Sequence, residues 1–194
     1  MKQPKAQRAM PQDPETTPRD DVVAALYSLF RCGGYDGVSL SDISAATGLG
    51  KSSLYHYFPK GKPDMAEAVA DFGLKSVRAK VIAPLSAELP LEKKIATMLR
   101  AVDSMYDGGR APCLVANMLP SGAASVSLRA ILSEWIDALA AALGGAGVKP
   151  GIARARAVAA LVAIEGALIV VQATGEGEIF AEILTQVGAD LTKR

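Results

Sequence analysis

Apolar residues recur along this chain at intervals of three and four, and no segment shows the alternation of a strand. Val22, Leu26, Leu29 and Phe30 form the first helical series. Thr17 can cap that helix, Pro18 can take its first position and Asp20 can complete a capping box. Gly33 and Gly34 are placed to stop it. Ser39 and Asp42 repeat the start signal ahead of Leu40, Ile43 and Thr47, and Gly48 ends this second helix. A third short helix runs from about 51 to 57, bounded by Gly50 and Pro59. Pro63 opens a fourth, with Asp64 and Glu67 near its start, Met65, Val69, Phe72, Val77 and Val81 on its apolar side, and Pro84 at its end. Ile95, Leu99, Val102 and Tyr106 predict a helix over about 91–107, closed by Gly108 and Gly109. "APCLVANML" reads as a short buried helix, and further helices are predicted at about 123–143, 151–174 and 177–192. The pattern predicts an all-α fold.

Two short helices joined by a glycine turn, after a longer one, make a helix-turn-helix. Such a unit lays its second helix in the DNA major groove, with N-terminal residues at base edges. Lys51, Ser52 and Ser53 occupy that first turn. Lysine reaches guanine acceptors, and serine bonds to bases or phosphates. Tyr55, His56 and Tyr57 follow within "LYHYF", and the tyrosine hydroxyls suit phosphate oxygens. Lys62 precedes the next helix, whose N-terminus can itself hold a phosphate. Leu54 and Phe58, four apart, are expected to face a small core.

Charge agrees once it is read locally. The whole chain is near neutral at +1, which excludes a globally basic coat. Residues 39–62 carry Lys51, Lys60 and Lys62 against Asp42 alone. Cys32 and Cys113 make no disulfide framework and fit a reduced compartment, with Cys113 expected to be a buried small hydrophobe rather than a reactive thiol. The N-terminal 21 residues hold no apolar stretch of signal-peptide type. The longest apolar run, 157–173, carries Glu165 and Gln172 and falls short of the roughly 20 residues of a membrane span. A cytoplasmic protein with no membrane attachment is expected. No nucleophile elbow, phosphate loop, dinucleotide fingerprint or metal-ligand cluster occurs, so neither catalysis nor a cofactor or metal is expected.

The stretch "VSLSDISAATGLGKSSLYHYFPKGKPDM" resembles the DNA-binding unit of TetR-family transcriptional repressors over roughly residues 18–75. The resemblance implies that Ser39, Lys51, Ser52, Ser53, Tyr55, His56, Tyr57 and Lys62 meet DNA, Ser39 through a phosphate. The chain departs from the family at Gly50, where Ser or Thr is frequent, and in one extra residue between Phe58 and Lys62. That spacing and "CLVANML" resemble a subgroup that includes drug- and flavonoid-responsive repressors. The implied organisation is a disordered tail over 1–16, a helix-turn-helix domain over 17–75 with its motif at about 39–58, and an effector-binding and dimerisation domain over 76–194.

A homodimer on palindromic operator DNA, released by an unidentified small-molecule effector, is the function this implies. Methionines and aromatic residues suit adaptable apolar pockets, so Met98, Met105, Tyr106, Met118 and Trp135 are candidates for the effector site. Glu165, a carboxylate in an apolar run, is either a ligand anchor or a group making an interhelix or dimer-interface hydrogen bond. Leu139, Leu143, Val158, Leu161 and Leu168 are the candidates for a dimer interface, in which the helices at 123–143 and 151–174 would form a four-helix bundle with their mates. Two other readings stand beside this one: a dimeric DNA-binding protein without an effector, and a small-molecule-binding protein that has lost DNA binding.

Overall fold

The computed structural model describes residues 18–193, and the expected N-terminal tail and the Thr17 cap lie outside them. Helix α1 (Pro18–Gly37) buries Val22, Val23, Leu26 and Phe30. It runs past the expected stop. Gly34, at φ 66° and ψ 179°, breaks its axis, and the chain turns on to Gly37. A side chain at Gly34 would place its Cβ 2.7 Å from the backbone oxygen of Asn117, so only glycine fits both the dihedral and the contact.

Helix α2 (Leu40–Thr47) begins with a complete capping box. The Ser39 N–H donates to Asp42 Oδ2 at 2.8 Å, and the Asp42 N–H donates to Ser39 Oγ at 3.2 Å. The Ser39 hydroxyl, and after it the Ser39 N–H, donate to the Asp42 carboxyl and hold it below its ordinary range. Gly48 closes α2 in the left-handed region. Helix α3 (Lys51–Tyr57) has no side-chain cap, because Gly50 offers none. Its Leu54, and Phe58 just after it, enter a core shared with Phe30, Val38, Ile43, Met65 and Val69.

Helix α4 (Lys62–Val77) is shorter than expected. Residues Arg78–Ile82 continue it as a wider π turn and Ala83–Ser86 as a tight 3-10 turn. Pro84 explains the change, since it lacks the N–H that would close the preceding α turn and its ring crowds the carbonyl four residues back. The N–H of Ala83 reaches instead to the carbonyl of Arg78. Helices α5 (Leu91–Met105), α6 (Leu114–Met118), α7 (Ser125–Gly145), α8 (Pro150–Thr174) and α9 (Glu178–Thr192) complete an all-α fold. α1 packs on α4 and α6, α7 lies between α4 and α8, and α9 covers α8 and α5. Two polar links tie α4 and its π extension to α7: Ser127 Oγ donates to Asp71 Oδ1 at 2.8 Å, and Arg78 makes a two-pronged ion pair with Glu134.

The expected dimer residues need correction. Leu139, Leu143, Leu161 and Leu168 are buried inside the single chain, and only Val158 is exposed. α8 is apolar all round, so spacing alone could not distinguish the face that meets its own core. The face left in solvent carries Ile152, Val158, Val162, Ile169 and Val170. α8 is long and apolar enough to cross a membrane, yet it packs between α7 and α9 along its inner face.

Trp135 of α7 is 1% exposed, and its indole N–H donates to the sulfur of Met98 on α5 at 3.3 Å. Trp135→Ala is expected to cost about 3–5 kcal/mol through lost burial and a residual cavity. Urea unfolding checks this. A loss under about 1 kcal/mol would show that the site collapses freely and is not a packed core position.

Candidate nucleic-acid interface

Seven residues make barely two turns of helix, too few to be stable alone. α3 is held by its two anchors, Leu54 at 1% exposure and Phe58 at 0%. Anchoring one side turns the other outward. Lys51, Ser52, Ser53, Tyr55 and His56 are all exposed and form a continuous polar and aromatic surface.

The remaining expected contacts are less free. Tyr57 is half-buried against the core, with its ring 5.7 Å from that of His56 in an edge-on contact. The Ser39 hydroxyl works inside the chain, donating to Asp42 Oδ2 at 2.6 Å and lying 2.7 Å from Ser41 Oγ. The Lys62 ammonium sits 4.5 Å from the centre of the Tyr35 ring, which stacks in turn on Phe30. This cation–π contact steers Lys62 without neutralising it.

The extra residue between Phe58 and Lys62 has a structural use. Gly61 adopts φ 70° and ψ −135°, and an ideal Cβ there would lie 3.2 Å from the Tyr55 ring. Tyr55 therefore packs on a bare backbone turn and is oriented by it. The Lys60 N–H donates to Asp64 Oδ2 at 2.7 Å, closing the same turn over the start of α4. Tyr35 and Gly61 did not emerge from the sequence pattern. The only available signal was the unusual spacing before Lys62.

The expected effector residues do not share one site: Trp135 meets Met98, while Met105, Tyr106 and Glu165 gather around Cys113. Met98, Met118 and Trp135 are buried and pack in the core. Met105 and Tyr106 do line a cavity of about 20 Å³, together with Tyr27, Gly73, Val77, Cys113 and Ile131. That is room for one water, not for a drug-sized ligand. Beside it, the Tyr106 hydroxyl donates to Cys113 Sγ at 3.8 Å, and the thiol donates to Glu165 Oε1 at 3.4 Å. Burial is the main cause that raises all three groups: Tyr106 well above its ordinary value, Cys113 to about 12, and Glu165 above the usual carboxyl range. Burial thus favours the protonated form of the Cys113 thiol.

The sequence model of the bacterial TetR regulators matches residues 22–69, and that of the LmrA/YxaF-like transcriptional regulators' C-terminal domain matches residues 94–186. No curated protein matches the chain significantly in sequence. Among solved structures, a TetR transcriptional regulator from Legionella pneumophila aligns with TM-score 0.80 at 19% identity, over 90% of this chain and 97% of that one. A TetR-family regulator from Agrobacterium tumefaciens aligns with TM-score 0.77 at 23% identity, over 88% and 95%. One from Chloroflexus aurantiacus aligns with TM-score 0.74 at 22% identity, over 91% and 95%. The chain belongs to the TetR family, whose two parts it carries in the usual order. It is a DNA-binding transcriptional regulator, of a family that is generally not enzymatic.

Glu165 gives a pH test. Its folded-state pKa is raised, so the folded chain binds its proton more tightly than the unfolded chain. Stability from this group is therefore greatest below the ordinary glutamate value, and falls as pH rises through the raised one. Glu165→Gln is expected to flatten the fall in melting temperature as pH rises above the ordinary glutamate range. Parallel slopes for wild type and variant would refute the buried carboxyl.

Proposed function

We propose that the chain is a homodimeric repressor that grips a palindromic operator with the exposed face of α3 and releases it when a small molecule binds the C-terminal helices. The outward set Lys51, Ser52, Ser53, Tyr55 and His56, on a helix held from behind by Leu54 and Phe58, carries this reading. Lys51 and the serines reach base edges, Tyr55 and His56 reach the flanking backbone, and Lys62 adds a phosphate contact from the start of α4. Ser39 contributes through its cap, with the neighbouring exposed Ser41, hydrogen-bonded to it, able to share a phosphate. The helix-turn-helix domain spans 17–75 and the effector and dimer domain 76–194.

The dimer forms along α8. Its exposed Ile152, Val158, Val162, Ile169 and Val170 are five large apolar side chains on one helix, flanked by small residues such as Ala155 and Ala159. Close helix approach over such a surface buries area that a monomer leaves wet. The effector enters beside Met105, Tyr106 and Glu165. The small closed cavity there fits the effector-free, DNA-competent state, and ligand binding opens it. The effector shifts the population by its differential affinity for the two states, typically about 1–3 kcal/mol.

Selection of bound DNA from a random duplex pool is expected to return an inverted repeat. No enrichment by the folded dimer would overturn the reading. Lys51→Ala is expected to weaken operator binding by about 1–3 kcal/mol and to relax preference at one base position. Unchanged affinity would remove α3 from the groove. Val162→Asp is expected to shift the mass in sedimentation from dimer to monomer with the helical spectrum retained. A dimer that persists in this variant would move the interface off α8.

A further inference from the structure

α1 belongs to the DNA-binding unit, yet its C-terminal end is built into the sensor. The Arg31 guanidinium crosses to the other part of the chain, donating through Nε to the carbonyl of Pro112 and through Nη2 to the carbonyl of Met105 at 2.8 Å. It lies over two aromatic faces, 5.8 Å from the Tyr27 ring centre and 5.2 Å from that of Tyr106. The return link comes from α6, where Asn117 Nδ2 donates to the carbonyl of Arg31 at 2.7 Å. Gly34 supplies the clearance, because any Cβ there would collide with the Asn117 backbone.

The three bonds occupy groups that need partners. Met105 ends α5, so its carbonyl has no helical donor. The break at Gly34 likewise leaves carbonyls in the last regular turn of α1 in need of donors. Each side therefore satisfies the other's helix end, with a charged donor in the stronger role. Tyr27, Met105, Tyr106 and Cys113, which surround this contact, also line the small cavity. A change in that cavity's shape meets α1 directly, without passing along α4.

We propose that Arg31 and Asn117 form a clasp that fixes the DNA-binding unit to the sensor through α1 and α6, making Arg31 a positioning residue for operator binding. It touches no DNA in this role. It sets the separation and tilt of the two α3 helices in the dimer. The proposal rests on the regulatory reading above and deepens it, by naming the route from sensor to operator.

The test measures distance in the dimer without DNA. With Cys32 replaced by Ser, a spin label is placed on a cysteine introduced at the exposed Ala45, and the label-to-label distribution is recorded for wild type, Arg31→Met and Asn117→Ala. Both variants are expected to broaden and shift the distribution. Lys75→Met, an exposed change elsewhere on α4, is the control and leaves it unchanged. Distributions that match wild type in both clasp variants would overturn the proposal, whatever DNA binding shows. On the selected operator, a competent population reduced to about a tenth weakens apparent affinity about tenfold. The slope of affinity against salt is expected to stay the same, since no phosphate contact is lost. A slope reduced by about one unit would instead make Arg31 a direct phosphate ligand and overturn its positioning role. Failure of wild type to bind any duplex would sink the regulatory reading while leaving the distance result to judge the clasp.

Discussion

A helix of seven residues cannot define a direction in water by itself. Everything the DNA-binding unit presents depends on Leu54 and Phe58 being fixed in a core drawn from α1, α2 and α4. That dependence runs both ways. The core is small, and it closes because α3 delivers two large apolar groups one turn apart. The capping box at Ser39 and the left-handed Gly48 place α2 so that α3 arrives at the right angle. The outward residues are the by-product of an inward constraint, so the functional surface and the fold share one cause.

The N-terminal unit was largely legible because its signals are local. A capping box, a glycine turn and a proline each act within four residues, and each leaves a mark in the sequence. The C-terminal helices were found for the same reason. What they face was not legible, as Leu139 and Leu161 show. An apolar stripe says that something is buried, and a helix that is apolar all round has two candidates for the partner. Met98 and Trp135 are ambiguous in the same way, since soft and aromatic groups suit a core as well as a pocket. The Arg31 contacts with Pro112 and Met105 join residues more than seventy positions apart, and no local pattern announces such a pairing.

Two kinds of connection hold the C-terminal helices to the DNA-binding unit. α4 is a continuous backbone link, braced on α7 by the Arg78–Glu134 pair. That pair is well exposed on both sides, so it contributes little stability and chiefly fixes geometry. α1 is held by bonds to helix ends, whose carbonyls would otherwise lack donors. The π turn at Arg78–Ile82 begins at the braced residue and gives this link a place to bend without losing all its hydrogen bonds. A molecule built this way has stiff units joined at a few defined contacts, the arrangement from which two discrete states arise.

The chain's single tryptophan has an optical consequence. Trp135 lies in α7, away from the residues of α1 to α4 that surround the recognition surface, and it is sealed against a thioether sulfur. Its emission reports a dry, sulfur-contacted indole and carries no contribution from any other tryptophan. Any loosening between α5 and α7 admits water to the ring. The chain carries its own fluorescent gauge of the interior of its C-terminal helices.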